Sequence, residues 1–313
     1  MARPVRLSAR LGCLVAVLLV ALPAAGQIQD QLAAYTGANA EGYLQPLADA
    51  VGTSLNSGVF RSAYIPQEGF HFKFSMEVMS VFFSEDDETF DGVAEEGFQP
   101  LDPDGIIDIP TVVGSTGSVI VEGIGGTSYA FPGGFDLNSF SFGVPQITIG
   151  SVKGTEMIFR YFALDISDTE LGNFSLIGLG ARHSISQYMG DDPPLDLAVG
   201  LMWHTFKLGE NDEGSELIAA NALTFGIQAS KRLGEGLIYF EPYAGLSYDT
   251  SSVDVEYQSE ATGDPLDISL DLESDPTARL TLGGSLNIGV WNLHTEYAFA
   301  GQSGFTFGTG IAF

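Results

Sequence analysis

Apolar and polar residues alternate one by one along most of the chain from Gly69 onward. In the first such segment, apolar residues occupy every second position from Phe70 to Val78, and polar or ionic residues fill the positions between His71 and Glu77. A strand places successive side chains on opposite faces, so this segment predicts a strand with one apolar and one ionic face. Later segments repeat the alternation: 195–205, 221–229 and 278–290. The pattern predicts an all-β body.

Three features favour a transmembrane barrel over a soluble sandwich, which would also alternate. Several predicted strands run to about 15 to 20 residues, whereas strands in soluble proteins average about 5 to 6. Tight turns alternate with longer acidic connections, as periplasmic turns alternate with outer loops in outer-membrane barrels. The last alternating segment ends on an aromatic residue and resembles the C-terminal assembly signal that the outer-membrane barrel assembly machinery recognises. The residues of that predicted signal are Phe305, Phe307, Ile311 and Phe313.

The number of strands follows from counting the alternating segments. The first segment and nine others between residues 141 and 313 are clear. The segment 84–138 is acidic and then Gly-rich, and it is either an insertion or the source of two more strands, around Thr111–Val121 and Thr127–Phe131. We therefore predict an antiparallel β-barrel of about 12 strands, with 10 or 14 as alternatives, because single-chain outer-membrane barrels have an even number.

The N-terminal region has a different pattern. Arg3, Arg6 and Arg10 precede an apolar run at 11–21, and small residues follow at 23–26. This order predicts a secretory signal peptide over 1–26, because the apolar run is shorter than the roughly 20 residues of a membrane-spanning helix.

Residues 27–58 are predicted to form a helical hatch or plug segment. The apolar residues Leu44, Leu47, Val51 and Leu55 recur at helical spacing, and Gly58 is a suitable end. The barrel is then expected to occupy residues 59–313.

Charge and composition exclude several classes of function. The formal net charge is −28, with 40 acidic residues against 12 basic ones. We exclude nucleic acid as a partner, because binding it requires Lys and Arg to neutralise phosphates. The single cysteine, Cys13, lies in the predicted signal peptide, so we expect neither disulfides nor cysteine metal sites.

No cofactor and no enzymatic activity are expected. The sequence shows no phosphate-binding loop, zinc-binding spacing or nucleophile–base motif. Barrel phospholipases and lipid A deacylases use a His-x-Ser pair whose side chains project from one strand face. Here His183 is followed by Ser184 and Ser186, and Ile185 stands where the serine is required.

Ionic and polar residues collect on the predicted inward faces of the strands. Two interpretations remain open. The lumen either binds or conducts a solute, or it is a plugged interior in which these charges pair with one another and with the N-terminal helix. The lumen-lining candidates are His71, Lys73, Glu77, Glu156, Arg160, Arg182, His204, Glu241, Arg279, His294 and Glu296.

A short acidic turn is a weak candidate for calcium binding. Asp102, Asp104 and Asp108 place three carboxylates around a Pro-Asp-Gly turn. The spacing lacks the third early oxygen ligand and the distal glutamate of an EF-hand, and turn formation alone explains the motif.

Several short segments carry a family resemblance: Gly42 to Leu47, Pro145 to Gly150, Gly154 to Glu156, Arg160-Tyr161, His183 to Gln187 and His294 to Tyr297. Together they resemble a family of predicted outer-membrane barrels that is catalogued as a domain of unknown function. The resemblance covers most of the mature chain and implies a barrel, and it implies little about activity.

The helix before the first strand is also similar, more loosely, to the hatch of FadL-type outer-membrane transporters, which lies inside a 14-stranded barrel. The Asn-Pro-Ala motif of that hatch is absent, because Asn39 is followed by Ala40 and Glu41. The similarity implies a transporter or porin-like channel in the cell outer membrane, with membrane lipid, the assembly machinery and a small hydrophobic solute as partners. The alternative is a structural or surface-interaction barrel without transport activity.

Overall fold

In the computed structural model, the protein is described over residues 31–35, 37–95, 97–102, 106–166, 172–190, 193–210, 216–259 and 266–313. The predicted signal peptide and residues 27–30 of the predicted hatch lie outside these ranges. The α-helix α1 (Gly37–Leu55) precedes the strands.

Ten strands form a closed antiparallel barrel. Each strand pairs with its neighbours along the chain, and the first strand closes the barrel by pairing with both the second and the last strand of the wall. The barrel strands are β1 (His71–Phe82), β6 (Ser139–Val152), β7 (Thr155–Ile166), β8 (Gly172–Ser184), β9 (Asp196–Glu210), β10 (Glu216–Ser230), β11 (Ile238–Ser259), β12 (Leu266–Ile288), β13 (Trp291–Phe299) and β14 (Gly304–Ala312).

The predicted all-β antiparallel barrel is confirmed, and it has ten strands rather than the preferred 12. The described residues of the segment 84–138 contribute no barrel strand. They form two separate two-stranded sheets, in which β2 (Thr89–Phe90) pairs with β3 (Ile109–Pro110) and β4 (Val119–Glu122) pairs with β5 (Ser128–Phe131). These strands are too short for the barrel wall, because a membrane-crossing strand needs about 9 to 11 residues.

The two ends of the barrel differ. At one end, which we call the turn end, the connections 153–154, 185–195, 231–237 and 289–290 join consecutive strands. At the other, the insertion end, the segment 83–138 joins β1 to β6. The insertion end is also where β11 and β12 extend furthest beyond their neighbours, since they are 22 and 23 residues long.

The side-chain pattern of the wall inverts between these ends. On β11, Leu246 and Tyr248 face outward towards the turn end, and each is 56% exposed. Nearer the insertion end, Val253 and Val255 are buried inside the barrel, and Asp254 is exposed outside. Other strands show the same inward apolar positions near the insertion end: Phe142, Leu176, Phe206, Ala222 and Leu272. The outer surface is therefore apolar in the turn half and polar at the insertion end.

Helix α1 occupies the insertion half of the lumen. Leu44, Leu47 and Leu55 are buried in one hydrophobic core with the inward apolar residues of the wall, which explains why those wall positions are apolar. The predicted N-terminal helix is thus present, with Pro46 inside it. No helix in the described ranges is both long enough and apolar enough to cross a bilayer.

The inserted segment covers the start of α1. Asn39 donates from Nδ2 to the Val93 carbonyl at 2.8 Å and accepts from the Val93 amide at 2.8 Å. The Tyr43 carbonyl accepts from the Val112 amide at 2.9 Å. Burial, followed by the charge of Glu95, raises the pKa of Tyr129 to about 12. The insertion therefore forms a packed cap over the helix.

Candidate functional site

The chain runs through the lumen after α1 ends. Residues 56–65 continue without helix or strand towards the turn end, where β1 begins. At the turn end, the Gln67 carbonyl accepts from the Gly154 amide at 3.1 Å. We call residues 37–65 the plug, because they fill the barrel from one end to the other.

Arg160 holds the plug where the helix ends. It lies on β7 and is 1% exposed. Its guanidinium donates to the carbonyls of Leu55 at 3.0 Å and Ser57 at 2.8 Å. It also donates to Gln146 at 2.9 Å and lies 3.3 Å from Nε2 of His204, both on the wall. These contacts satisfy carbonyl groups that the helix end leaves unpaired.

Arg279 forms a second contact between plug and wall. Its Nε lies 2.7 Å from the carboxylate of Asp249 on β11. Its two terminal nitrogens donate to the Ser57 hydroxyl at 2.7 Å and the Thr53 carbonyl at 3.0 Å. The ion pair is internal to the wall, so the guanidinium reaches the plug while its charge stays balanced.

Glu296 and Glu241 accept hydrogen bonds from the plug. The Glu296 carboxylate accepts from the Gly58 amide at 2.9 Å and from Tyr243 at 3.1 Å. The Glu241 carboxylate accepts from the Ser62 hydroxyl at 2.6 Å and from a wall serine, Ser230, at 2.6 Å.

Glu77 pairs with a cation of the plug. Its carboxylate lies 3.2 Å from Arg61 and 2.6 Å from Nε2 of His294. The neighbouring β14 strand has Gly308 at this level, and a Cβ there would lie 2.1 Å from the His294 ring and 2.3 Å from Glu77. A glycine is therefore required opposite this cluster.

Glu156 is surrounded by cationic side chains. Its carboxylate forms an ion pair with Arg182, lies 3.6 Å from Nζ of Lys73 and 2.8 Å from Nε2 of His71. Glu156 itself is 0% exposed. Arg182 donates in turn to the Ser62 carbonyl of the plug at 2.9 Å. Carboxylate and cations thus neutralise one another next to the plug.

All the predicted lumen candidates lie inside the barrel, and most contact the plug directly. Sequence reasoning placed Ser57 in the predicted hatch or plug segment, but it did not identify the plug residues Arg61 and Ser62 or the wall residue Asp249. The plug residues that follow α1 have no periodic pattern that marks them. The only available signal was Arg61, a cation just before the first predicted strand.

Cavities lie between the plug and the wall. A polar one of ≈ 90 Å³ lies at the turn end, lined by Arg61, Arg182 and Glu241 among others. A second polar cavity, of ≈ 270 Å³, lies near the insertion end between α1, strands β11 and β12 and the connection 300–302. The third is apolar, lies between α1 and the wall, and measures only ≈ 30 Å³. Along β13, His294 and Glu296 stand between the levels of the two polar cavities.

The other predicted site residues belong to the assembly signal and to the acidic turn. Phe305, Phe307 and Phe313 are 40%, 44% and 68% exposed on the outer surface, and their role as an assembly signal stays a prediction. Asp102 and Asp108 are exposed in the insertion, and Asp104 lies outside the described residues. Within the described ranges, no group of three or more His, Cys, Asp or Glu side chains could hold a metal ion.

His183 makes contacts that do not resemble a nucleophile–base pair. Its Nδ1 lies 2.8 Å from the Thr155 hydroxyl and its Nε2 lies 2.9 Å from that of Tyr188. Ser184, the next residue, is buried on the opposite face of β8. The histidine and this serine therefore cannot act on one group.

Solved structures of two outer-membrane proteins are similar to this chain. One is the outer membrane protease OmpT from Escherichia coli, with 8% identity, a TM-score of 0.35, and coverage of 80% of this chain and 98% of OmpT. The other is the outer membrane transporter YddB from Escherichia coli, with 11% identity, a TM-score of 0.25, and coverage of 75% of this chain and 41% of YddB.

No curated protein sequence matches the chain. A family match, in contrast, extends over residues 7–313, from within the predicted signal peptide to the last strand. The chain therefore belongs to the Family of unknown function (DUF6588).

Proposed function

We propose that this protein is an outer-membrane β-barrel that acts as a gated channel for small solutes, with the plug as its gate. The inverted side-chain pattern supports the membrane location. On β12 the outward apolar residues run from Leu280 to Ile288, which matches the roughly 9 to 11 residues of a strand that crosses a bilayer. Short periplasmic turns and longer outer connections are typical of such barrels, so we assign the turn end to the periplasm.

The chemistry of the contacts between plug and wall is the main support for the proposal that the plug is a gate. In the insertion half, α1 packs through apolar residues. In the turn half, residues 56–65 are held mainly by hydrogen bonds and ion pairs, from Arg160, Arg182, Arg279 and Glu241 among others. Polar contacts exchange with water at little net cost. The apolar contacts of this part are two small clusters, around Val59 and around Ala63 and Ile65, so moving it exposes less apolar surface than moving α1.

The two polar cavities give the direction of the passage. The smaller one lies at the turn end and the larger one near the insertion end, both between wall and plug. His294 and Glu296 form an ionic layer between the two cavities. A small displacement of residues 56–58 would join them. The apolar cavity of ≈ 30 Å³ has no room for a solute while α1 is in place. We infer that the protein is not an enzyme, since the polar groups of the lumen are engaged in holding the plug.

A structural barrel is the second candidate. The ion pairs within the lumen, one of them between plug and wall, are buried, which would also suit a permanently filled lumen. Conductance of the wild-type protein distinguishes the two functions, because a permanent plug predicts none.

A reversible disulfide between plug and wall provides the test. A Cβ built on Gly304 of β14 lies 4.0 Å from Oγ of Ser57, so cysteine side chains at the two positions are neighbours. A disulfide then requires their Cβ atoms to come to about 3.5 to 4.5 Å from each other. We expect planar bilayers with the wild-type protein to show brief conductance steps. The protein with Ser57→Cys and Gly304→Cys should be silent when oxidised and conduct when reduced.

The single variant Ser57→Cys is the control, since it cannot form the bridge and should conduct under both conditions. Silence of the wild-type protein at all voltages, or equal conductance of the oxidised and reduced double variant, would show that the plug is not a gate.

A further inference from the structure

The larger polar cavity has an excess of negative charge. It lies between the plug, the inserted segment, strands β11 and β12 and the connection 300–302 between β13 and β14. Four aspartates line it, Asp49, Asp87, Asp249 and Asp275, and the one cation there is Arg279, which pairs with Asp249 at 2.7 Å. Three formal negative charges therefore remain without a basic partner in the lining.

Two buried amide oxygens on the same cavity are also unsatisfied. Asn56 is 5% exposed, and its Nδ2 donates to the Thr250 carbonyl at 3.3 Å while its Oδ1 has no partner. Gln302 is 8% exposed, and its Nε2 donates to Asp87 at 3.0 Å while its Oε1 has no partner. Both side chains line the cavity. A buried acceptor without a donor is costly, so the site lacks hydrogen-bond donors as well as positive charge.

We propose that this cavity binds a small organic cation that carries ammonium groups, such as a linear diamine. An ammonium group supplies both missing elements, because it has one positive charge and three hydrogen-bond donors. The inference rests on the proposed channel in one respect only: it names the class of solute that enters from the insertion end.

The size and spacing of the site favour an organic cation over a bare metal ion. The cavity measures ≈ 270 Å³, which is much larger than an ion and its direct ligands need. Within the described part of the chain, no three acidic or histidine side chains are close enough together to hold a metal. The carboxylates come instead from separate elements: Asp49 from α1, Asp87 from the insertion and Asp275 from β12.

The charge environment of Asp49 agrees with this interpretation. Its carboxylate accepts hydrogen bonds from Ser274 at 2.6 Å and Gln45 at 3.0 Å. Burial raises its pKa, and the charges of Asp87 and Asp275 raise it further, whereas the two hydrogen bonds lower it. A bound cation would remove the repulsion among these three carboxylates.

Binding in the cavity is coupled to the plug through Arg279. Its guanidinium contacts Asp249 and also donates to Ser57 and Thr53 of the plug. An ammonium group that binds Asp249 competes with Arg279 for that carboxylate, and so weakens a contact that holds residues 53–57.

Titration calorimetry of the full mature protein in detergent tests the proposal, with 1,4-diaminobutane as the probe at constant ionic strength. We expect saturable binding at a single site. Asp49→Asn should weaken it by about tenfold or more, because a tenfold change in affinity corresponds to about 1.4 kcal/mol. Asp275→Asn, at an exposed strand position, should also weaken binding and gives a second variant that does not alter the buried helix.

Asp86→Asn is the matched control. Asp86 is exposed on the same short turn as Asp87 and does not line the cavity, so the change removes the same charge and should leave the affinity unchanged within about twofold. Absence of binding to the wild-type protein, equal affinities in all variants, or displacement of the diamine by Mg²⁺ at equal ionic strength would overturn the proposal. Diamine binding without any conductance would leave this site standing while refuting the channel.

Discussion

Replacing Arg160 with alanine should lower the free energy of unfolding by at least about 3 kcal/mol, because each buried acceptor that loses its donor costs about 1 to 3 kcal/mol. The guanidinium donates to two plug carbonyls, those of Leu55 and Ser57, and to Gln146 of the wall. Alanine can replace none of these bonds and leaves an unfilled volume beside His204. The plug should therefore loosen at the end of α1, and the variant should conduct more often than the wild-type protein.

Arg232→Ala provides a comparison with the same chemical change. The Arg232 side chain is 40% exposed at the turn end, and its guanidinium stacks 3.7 Å above the ring of Tyr64, also in the plug. Such a contact contributes about 0.5 to 1 kcal/mol. Urea unfolding in lipid vesicles, followed by tryptophan fluorescence, measures both variants. Similar losses for the two would show that Arg160 does not clamp the plug.

The Glu156→Gln variant should be destabilised by about 3 to 5 kcal/mol, the usual cost of removing one partner from a buried ion pair. Glu156 is the carboxylate that Arg182, Lys73 and His71 share. Glutamine keeps the shape of the side chain but leaves Arg182 and Lys73 without a counter-charge inside the barrel. The effect should persist at high salt, since salt screens buried pairs much less than exposed ones.

Glu235→Gln is the control for the loss of charge. Glu235 is exposed in the connection between β10 and β11, and exposed charges contribute about 0 to 1 kcal/mol. Heat-modifiability on gels and urea unfolding would both report the difference. If the Glu156→Gln variant were as stable as the wild-type protein, water or the plug would balance the charges of Arg182 and Lys73 instead.

The barrel could be predicted from the sequence because its strands have one face in lipid and one in a polar lumen. Residues such as Leu280 and Leu282 alternate with Arg279 and Thr281, and this period defines a strand without any tertiary information. The same period identified Glu77, Glu156 and Arg160 as inward-facing. In the half of a strand that faces lipid, every second position can therefore be assigned to the lumen.

Two features could not be predicted from alternation. Inversion of the pattern towards the insertion end, as from Tyr248 to Val253 on β11, keeps the period of two and changes only which face is apolar. The number of strands was overestimated because Val119–Glu122 and Ser128–Phe131 also alternate, although they form a hairpin in the cap. Length, and not pattern, excludes them from the wall.

Residues 59–65 of the plug, which were assigned to the barrel, were missed for a related reason. Residues 56–65 have neither helical nor strand periodicity, since their backbone is bonded to side chains of the wall rather than to a regular partner. Arg160 and Glu296 supply such bonds at Ser57 and Gly58. Their positions depend on which strands face one another across the lumen, and one sequence contains no direct record of that.

Disulfide formation between Ser57→Cys and Gly304→Cys in isolated outer membranes tests the central claim most directly, namely that the N-terminal segment lies inside the closed barrel. Gly304 faces inward near Ser57, whereas the next residue, Phe305, faces outward and is 40% exposed. We expect rapid cross-linking of the Ser57/Gly304 cysteine pair and none of the Ser57/Phe305 cysteine pair. Equal yields for the two pairs, or a cross-link to position 305 alone, would contradict it.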